Sequence, residues 1–589
     1  MAFGAAIDPH GALFRLWAPA AETVALRLPE ARQDIAMTRH DRGWHTVRVP
    51  NLMAGTVYQY VIDDAHVVPD PASRFQPSDV HGPSELVDPE AFDWPDDAWR
   101  GRAWHEAVIY ELHVGAFTRE GTFAAAEADL ARLAALGITA VELMPLADFA
   151  GNRNWGYDGV LPFAPDSRYG TPTALKRFVA AAHALGLMVF IDVVYNHFGP
   201  EGNYLCVYAP DFFTAAETGW GPAINFGARP VRDFFIENAL YWVLEYNIDG
   251  LRLDAAHAIR DETRPDILEE LAARVHLAVA PDRHVHLVLE NDHNQARYLR
   301  RDAVGRPAAY DAQWNDDFHH AAHVILTGET EGYYVDFAAD PIRKLGRALA
   351  DGFAYQGEHS TYRGASRGET STGLPPVAVV NFLQNHDQIG NRAFGERLTL
   401  LAEPAALAAA TAILLLAPAP PLLFMGEEWD ATTPFLFFCD FAGALGSAVR
   451  EGRQREFAKF HAFATPKAAA IPDPLALETF TSSQLGERPQ ATSAIRHLLK
   501  IRQREIVPRL PGIVGSARGD TRYSVVGTCL EVIWRLGDAS HLSLVANLAR
   551  EAATGPPPVR TERILWGAER RGSTLPPWTV VWTLAEAAR

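Results

Sequence analysis

Gly250-Leu251-Arg252-Leu253-Asp254-Ala255-Ala256-His257 is an apolar, strand-like run that ends in a carboxylate. A second run of the same kind is Leu287-Val288-Leu289-Glu290-Asn291-Asp292. A third is Val377-Ala378-Val379-Val380-Asn381-Phe382-Leu383-Gln384-Asn385-His386-Asp387. Near-continuous apolar runs of this length, separated by helical patterns, mark strands buried on both faces and hence a parallel sheet. Eight such runs can be placed, at 108–114, 140–144, 188–194, 250–254, 286–290, 309–314, 377–383 and 422–425. Helical periodicity fills gaps at 127–136, 172–185 and 233–246, and Gly137 and Gly186 close the first two. Eight strand–helix units predict an α/β fold, a (β/α)8 barrel.

On either side the grammar changes to period-two alternation. Residues 12–17, 24–28, 44–49 and 57–62 predict an N-terminal β-sandwich over 1–95. A stretch rich in Pro, Asp and Trp, at 88–102, reads as the linker. The barrel is expected over 96–500, longer than the usual ~250 residues, so loops are inserted. Residues 198–225 and the glycine-rich 319–373 are the candidates. Residues 523–526, 529–534, 541–547 and 578–582 predict a C-terminal antiparallel β domain over 501–589. The uncharged run 405–425 is long enough to span a bilayer, but Pro418, Pro420 and Pro421 break it. An Ala-rich helix followed by a buried strand is the expected reading.

The chain has 589 residues and a net charge of −19, from 53 basic and 72 acidic residues. Such a surface repels phosphate backbones and anionic lipid, so neither nucleic acid nor membrane is an expected partner, and a neutral substrate fits better. Cys206, Cys439 and Cys529 are too scattered for a disulfide framework or metal-ligand spacing. The N-terminus lacks the basic and apolar regions of a secretory signal, and together these features predict a cytoplasmic protein.

Barrel enzymes carry their chemistry at the C-terminal strand ends. Asp192, Asn196 and His197 close the third strand; Arg252, Asp254 and His257 the fourth; Glu290 the fifth; His386 and Asp387 the seventh. Two carboxylates flanking a bond are the minimum requirement for glycosidic hydrolysis. Arg252 and Asp254, two apart on a strand, face the same way, so the cation keeps Asp254 ionised and suited to be the nucleophile. Glu290 is then the acid, its pKa raised by burial and nearby negative charge, and Asp387 stabilises the positive charge that develops on the sugar. A lone Asp at a strand end more often caps a helix; three carboxylates with Arg252 and two histidines at matching ends favour chemistry. Asp192 reads equally as the residue that orients Arg252. His197 and His386 are candidate donors to sugar hydroxyls, and His257 completes the expected binding set. In Asn152-Arg153-Asn154-Trp155-Gly156-Tyr157-Asp158-Gly159, Trp155 and Tyr157 are candidate sugar platforms, with packing inside the loop as the alternative for Trp155. Asp316-Asp317 and His319-His320 lack clear metal-ligand spacing and read as a hydrogen-bonded rim. No cofactor and no metal are expected.

Asp192-Val193-Val194-Tyr195-Asn196-His197, Gly250-Leu251-Arg252-Leu253-Asp254, Glu290 and Asn385-His386-Asp387 resemble, in order, the four sequence regions of the α-amylase superfamily of retaining glycoside hydrolases. The resemblance implies Asp254 as nucleophile, Glu290 as acid/base and Asp387 as transition-state stabiliser. It also implies carboxyls of Asp254 and Glu290 about 5–5.5 Å apart, against ~6.5–9.5 Å for inversion. The segments 195–204, 253–259, 313–320, 384–392 and 453–457 are similar to the superfamily members that release trehalose from maltooligosyltrehalose, and a monomer or homodimer is expected for this chain. Small departures are Asn291 where Ser is usual and Ala256 where Val is commoner. Calcium, which many α-amylases hold through the Asn at position 196, is not carried over, because the following loop is short. The alternative in the same layout is a glycogen branching or debranching enzyme. A noncatalytic glucan-binding scaffold is disfavoured by the presence of all three carboxylates.

Overall fold

The structure is a computed structural model that describes residues 2–95, 98–218, 221–457, 471–486, 488–519, 521–557, 562–570 and 572–587. Its centre is a closed parallel barrel whose eight strands follow chain order. They are β1 (Ile109–Leu112), β2 (Ala140–Leu143), β3 (Met188–Val193), β4 (Gly250–Leu253), β5 (His286–Leu289), β6 (Ala312–Trp314), β7 (Val379–Phe382) and β8 (Pro421–Phe424). Every residue in them is buried, which is why the sequence shows unbroken apolar runs instead of alternation. The β1–β8 ladder closes the ring, with Ile109 opposite Leu422 and Glu111 opposite Phe424.

The interior is layered. Ile109, Ala140, Met188, Val288, Ala312, Val380 and Leu422 pack with Phe190, Trp314 and Phe382. Two residues further along their strands, toward the C-terminal ends, Ile109, Ala140 and Phe190 give way to Glu111, Glu142 and Asp192. Asp192 stands opposite Arg252 in the β3–β4 ladder. The apolar layers are a close-packed floor, and the polar layer above them is where the site is built.

The outer helices follow their caps. The side chain of Thr171 accepts from Ala174 N–H at the head of α1 (Pro172–Ala184), and Gly186 takes φ +74° just past its end. α2 (Arg229–Glu245) starts four residues earlier than its periodicity indicates. The helix expected at 127–136 is instead two, Phe123–Glu127 and Leu130–Leu136, separated by a turn at Ala128 and Asp129. The irregular insertion expected over 319–373 is corrected as well. Its first part is α3 (Asp316–Thr327), capped by the Asn315 side chain, and α4 (Pro341–Asp351) follows. Gly328 and Gly352 in that stretch end these helices at positive φ; they do not mark a coil. The uncharged run resolves into α5 (Pro404–Leu416) and β8. Among the described residues no helix is long and apolar enough to cross a membrane.

The N-terminal strands Gly11–Trp17 and Trp44–Val49 pair in one sheet, and Val24–Leu28 and Val57–Ile62 in a second. The C-terminal region forms a five-stranded antiparallel sheet. Its Trp534 and Trp582 stack at 5.5 Å, and their indole N–H groups donate to Leu349 O on α4 and Ala412 O on α5. That sheet is thereby fastened to the barrel wall.

Candidate active site

Arg252 is the hub. It is fully buried, its guanidinium lies 4.1 Å over the face of Trp314, and its Nη1 donates to Asp192 Oδ2 at 2.6 Å and to Asp254 Oδ1 at 2.9 Å. Its Nη2 lies 3.3 Å from Glu290 Oε2. One cation thus bridges the two carboxylates expected to do the chemistry. Burying a single guanidinium against apolar strands would cost several kcal/mol, and three carboxylates offset it.

The backbone between them is shaped for the same purpose. Ala255 sits at φ +40°, a strained left-handed position for a residue with a Cβ. From there its N–H donates to Glu290 Oε2 at 2.6 Å, while Ala256 N–H donates to Glu290 O at 2.9 Å. With Oε2 already accepting, a proton on Glu290 resides on Oε1.

The electrostatics separate the pair. Burial pushes the Asp254 carboxyl up, Arg252 pulls it back, and Asp192 and Asp387 raise it again, to about 6. Burial likewise raises Glu290, with Arg252 opposing and Asp254 reinforcing, to about 7. Asp254 is therefore the more readily ionised of the two and Glu290 the one that keeps its proton to higher pH, the division that nucleophile and general acid require.

Asp387 is the exposed member. It lies in the first turn of the short helix His386–Gly390, and its Oδ1 accepts from Asn391 Nδ2 at 3.1 Å. His386 beside it is buried between Glu111, 2.5 Å from Nδ1, and Asp387, 3.5 Å from Nε2. Burial opposes charge on this ring, but Asp387 and Glu111 outweigh it and hold the imidazole near pKa 9. As an imidazolium, His386 donates from Nε2 to the Tyr157 hydroxyl at 2.8 Å, and Tyr157 donates to Asp192 at 2.6 Å. Tyr157 also stacks on His386 at 5.1 Å. Its partial exposure leaves it available to substrate.

Two binding expectations change in the structure. Trp155 is corrected: it is 3% exposed, stacks on Phe435 at 5.3 Å and donates from Nε1 to Leu436 O, so it supports His386 from below and offers no face to a sugar. His197 is corrected too: Nε2 donates to Tyr157 O at 2.9 Å and Nδ1 pairs with Asn196 at 3.0 Å. Burial lowers it to about pKa 4, a neutral ring with both nitrogens occupied that anchors the loop carrying Tyr157. His257 lies 3.5 Å from Asp292 Oδ1, at the Glu290 side of the cleft. His319 and His320 are buried and held neutral, burial being the main cause, and no metal-holding group of His, Cys, Asp and Glu occurs among the described residues.

Two interior residues escaped the sequence reading. Glu111 holds His386, and Glu142, 1% exposed with neither carboxyl oxygen bonded, is a carboxylic acid kept neutral by burial and by Glu111. The available signal was a charged residue inside an otherwise apolar strand run.

The alpha amylase catalytic domain pattern matches residues 74–208, carbohydrate-binding module 48 (isoamylase N-terminal domain) matches 2–86, and a domain of unknown function, DUF3459, matches 518–582. The malto-oligosyltrehalose trehalohydrolase of Saccharolobus solfataricus is 44% identical over 461 residues, covering 77% of this chain and 80% of its own. The chain belongs to the malto-oligosyltrehalose trehalohydrolase family. The trehalohydrolase of Deinococcus radiodurans is 42% identical, covering 84% of this chain and 82% of its own. A branching enzyme, GlgB of Burkholderia thailandensis, matches only 42% of the chain and 33% of its own length, at 34% identity. Among solved structures, a protein from Salmonella typhimurium described as a "Putative alpha Amylase" superposes with a TM-score of 0.94 at 45% identity, covering 99% of both chains. A pullulanase from Paenibacillus barengoltzii, at 21% identity and a TM-score of 0.71, shares the fold. Trehalohydrolases are glycoside hydrolases, and this chain is an enzyme of that class.

Proposed function

We propose that the chain hydrolyses the α-1,4-glucosidic bond next to the terminal trehalose of maltooligosyltrehalose, with retention. Asp254 attacks the anomeric carbon while Glu290 protonates the departing oxygen, which gives a β-glycosyl-enzyme and free trehalose. Glu290 then takes a proton from water, the water displaces Asp254, and the α configuration is restored. Asp387 stabilises the cationic ring in both transition states, and Tyr157, Arg252 and His386 hold the retained sugar and the nucleophile. The observation that carries the reading is the single guanidinium of Arg252 between Asp254 and Glu290. The free thiols Cys206, Cys439 and Cys529 support a reducing, cytoplasmic setting.

The deciding experiment is incubation with maltooligosyltrehalose and, separately, with glycogen. Free trehalose and a shortened maltooligosaccharide are expected from the first. Rearranged or debranched glycogen with no trehalose overturns the reading in favour of the branching or debranching alternative.

The pH profile follows from the same groups. Activity needs Asp254 ionised, so it falls as pH drops through about 6. It needs Glu290 protonated, so it falls again as pH rises through about 7. A narrow bell in kcat/KM between these limbs is the expected result; a flat profile from pH 5 to 9 contradicts the assignment.

A further inference from the structure

Asp316, at the C-terminal face of the barrel, is a carboxylate to which the proposed reaction gives no role. It heads α3 directly after β6. Its neighbour Asp317 is fully engaged, by Arg367 at 2.6 Å, Asn294 at 2.9 Å and the N–H groups of Ala354 and Tyr355 at 2.8 and 3.0 Å. Asp292, across from it, is held by Arg363 and lies 3.5 Å from His257. Asp316 itself, partly exposed, has no hydrogen-bond or ion-pair partner among the described residues. The charges that act on it most are Glu290 and Asp292, with Arg367 opposing.

Position gives this free group a meaning. Glu290 delivers its proton to the departing oxygen, so the departing sugar lies on the Glu290 side of the cleft. Tyr157, His386, Asp192 and Asp387 gather around Asp254 and belong with the retained sugar. The strand that Asp316 follows, β6, pairs with β5, which delivers Glu290, so the two carboxylates stand on neighbouring strand ends; Asp292, linked to His257 and Arg363, lies two residues beyond Glu290. We propose that Asp316 is a specificity-determining residue whose carboxyl group hydrogen-bonds the hydroxyls of the departing trehalose and so selects trehalose over a plain maltosyl leaving group. The inference rests on the reaction proposed above. Burial and the neighbouring carboxylates raise the Asp316 pKa above the usual carboxylate range, and in either protonation state the carboxyl oxygens accept from sugar hydroxyls. A site built to pair a hydroxyl discriminates strongly against a ligand that leaves it unpaired.

The test uses α-maltosyl fluoride, whose small leaving group leaves the departing-sugar pocket open to trehalose as an inhibitor. In Asp316→Ala and Asp316→Asn, the inhibition constant for trehalose, measured against each variant's own fluoride turnover, is expected to rise at least about tenfold, the loss of one or two hydrogen bonds. The preference in kcat/KM for maltotriosyltrehalose over maltopentaose is expected to fall by a similar factor. Melting curves confirm the fold, and Asp316→Asn, which keeps the side chain's shape, decides if the alanine variant fails to fold. Wild-type inhibition by trehalose that both variants retain, with the preference unchanged, overturns the role of Asp316 alone. A wild type that neither releases trehalose nor responds to it overturns the reaction proposed above, and this inference with it.

Discussion

Asp254→Ala loses kcat by about 10⁴- to 10⁶-fold, the scale on which a nucleophile's removal is felt. No second group can take its place. Arg252 is committed to Asp192 and Glu290, and Asp387, the third carboxylate, is held by Asn391 and His386. Asp254→Asn separates charge from shape. The amide oxygen can still accept from Arg252, so the fold and the melting temperature stay close to wild type, yet the group no longer attacks an anomeric carbon. Binding of maltooligosaccharide, measured by calorimetry, is expected to survive in both variants, because Tyr157 and His386 remain in place. Removing the negative charge also changes Glu290, whose carboxyl is pushed up in part by Asp254. In Asp254→Asn the Glu290 pKa therefore drops. Turnover of the Asn variant near the wild-type rate overturns the nucleophile assignment.

The barrel was legible because its strands obey one rule. Each is buried on both faces, so each reads as an apolar run, and the three carboxylates stand where such runs stop. Arg252 and Asp254 were readable as partners because strand periodicity puts residues two apart on the same side. What escaped the reading depends on three-dimensional neighbours. Trp155 looks like any loop aromatic until Phe435, some 280 residues later, covers its face. His197 has the spacing of a ligand-binding histidine, yet its two nitrogens are occupied by Tyr157 and Asn196. The histidine's local sequence does not record a carbonyl that arrives from the preceding crossover. The insertion at 319–373 misled for a different reason. Its glycines suggest coil, but Gly328 and Gly352 are helix terminators, and the Asn315 cap was the better signal. Glu111 and Glu142 were in plain view inside apolar strands, and a buried charge in such a run implies a partner or a proton.

Glu290→Gln lowers kcat/KM on maltooligosyltrehalose by about 10²- to 10⁴-fold, the contribution of a positioned general acid. The amide oxygen can still accept from Ala255 N–H, so geometry is kept and only the transferable proton is lost. Two consequences distinguish this role from nucleophilic attack. The alkaline limb near pH 7 disappears, because the group that titrates there is gone. On α-maltosyl fluoride, whose leaving group departs without a proton, the first step survives, but the second still needs a base to activate water, so the glycosyl-enzyme on Asp254 accumulates. Added azide needs no base. It displaces the Asp254 carboxylate from the β-glycosyl-enzyme and gives the α-maltosyl azide, and turnover recovers. Were Glu290 the nucleophile instead, azide would displace fluoride directly from the α-fluoride and give the β-azide. The configuration of the azide product therefore reports which carboxylate attacks and which transfers the proton. An α product with restored turnover supports Glu290 as acid/base, and a β product reverses the assignment of the two residues.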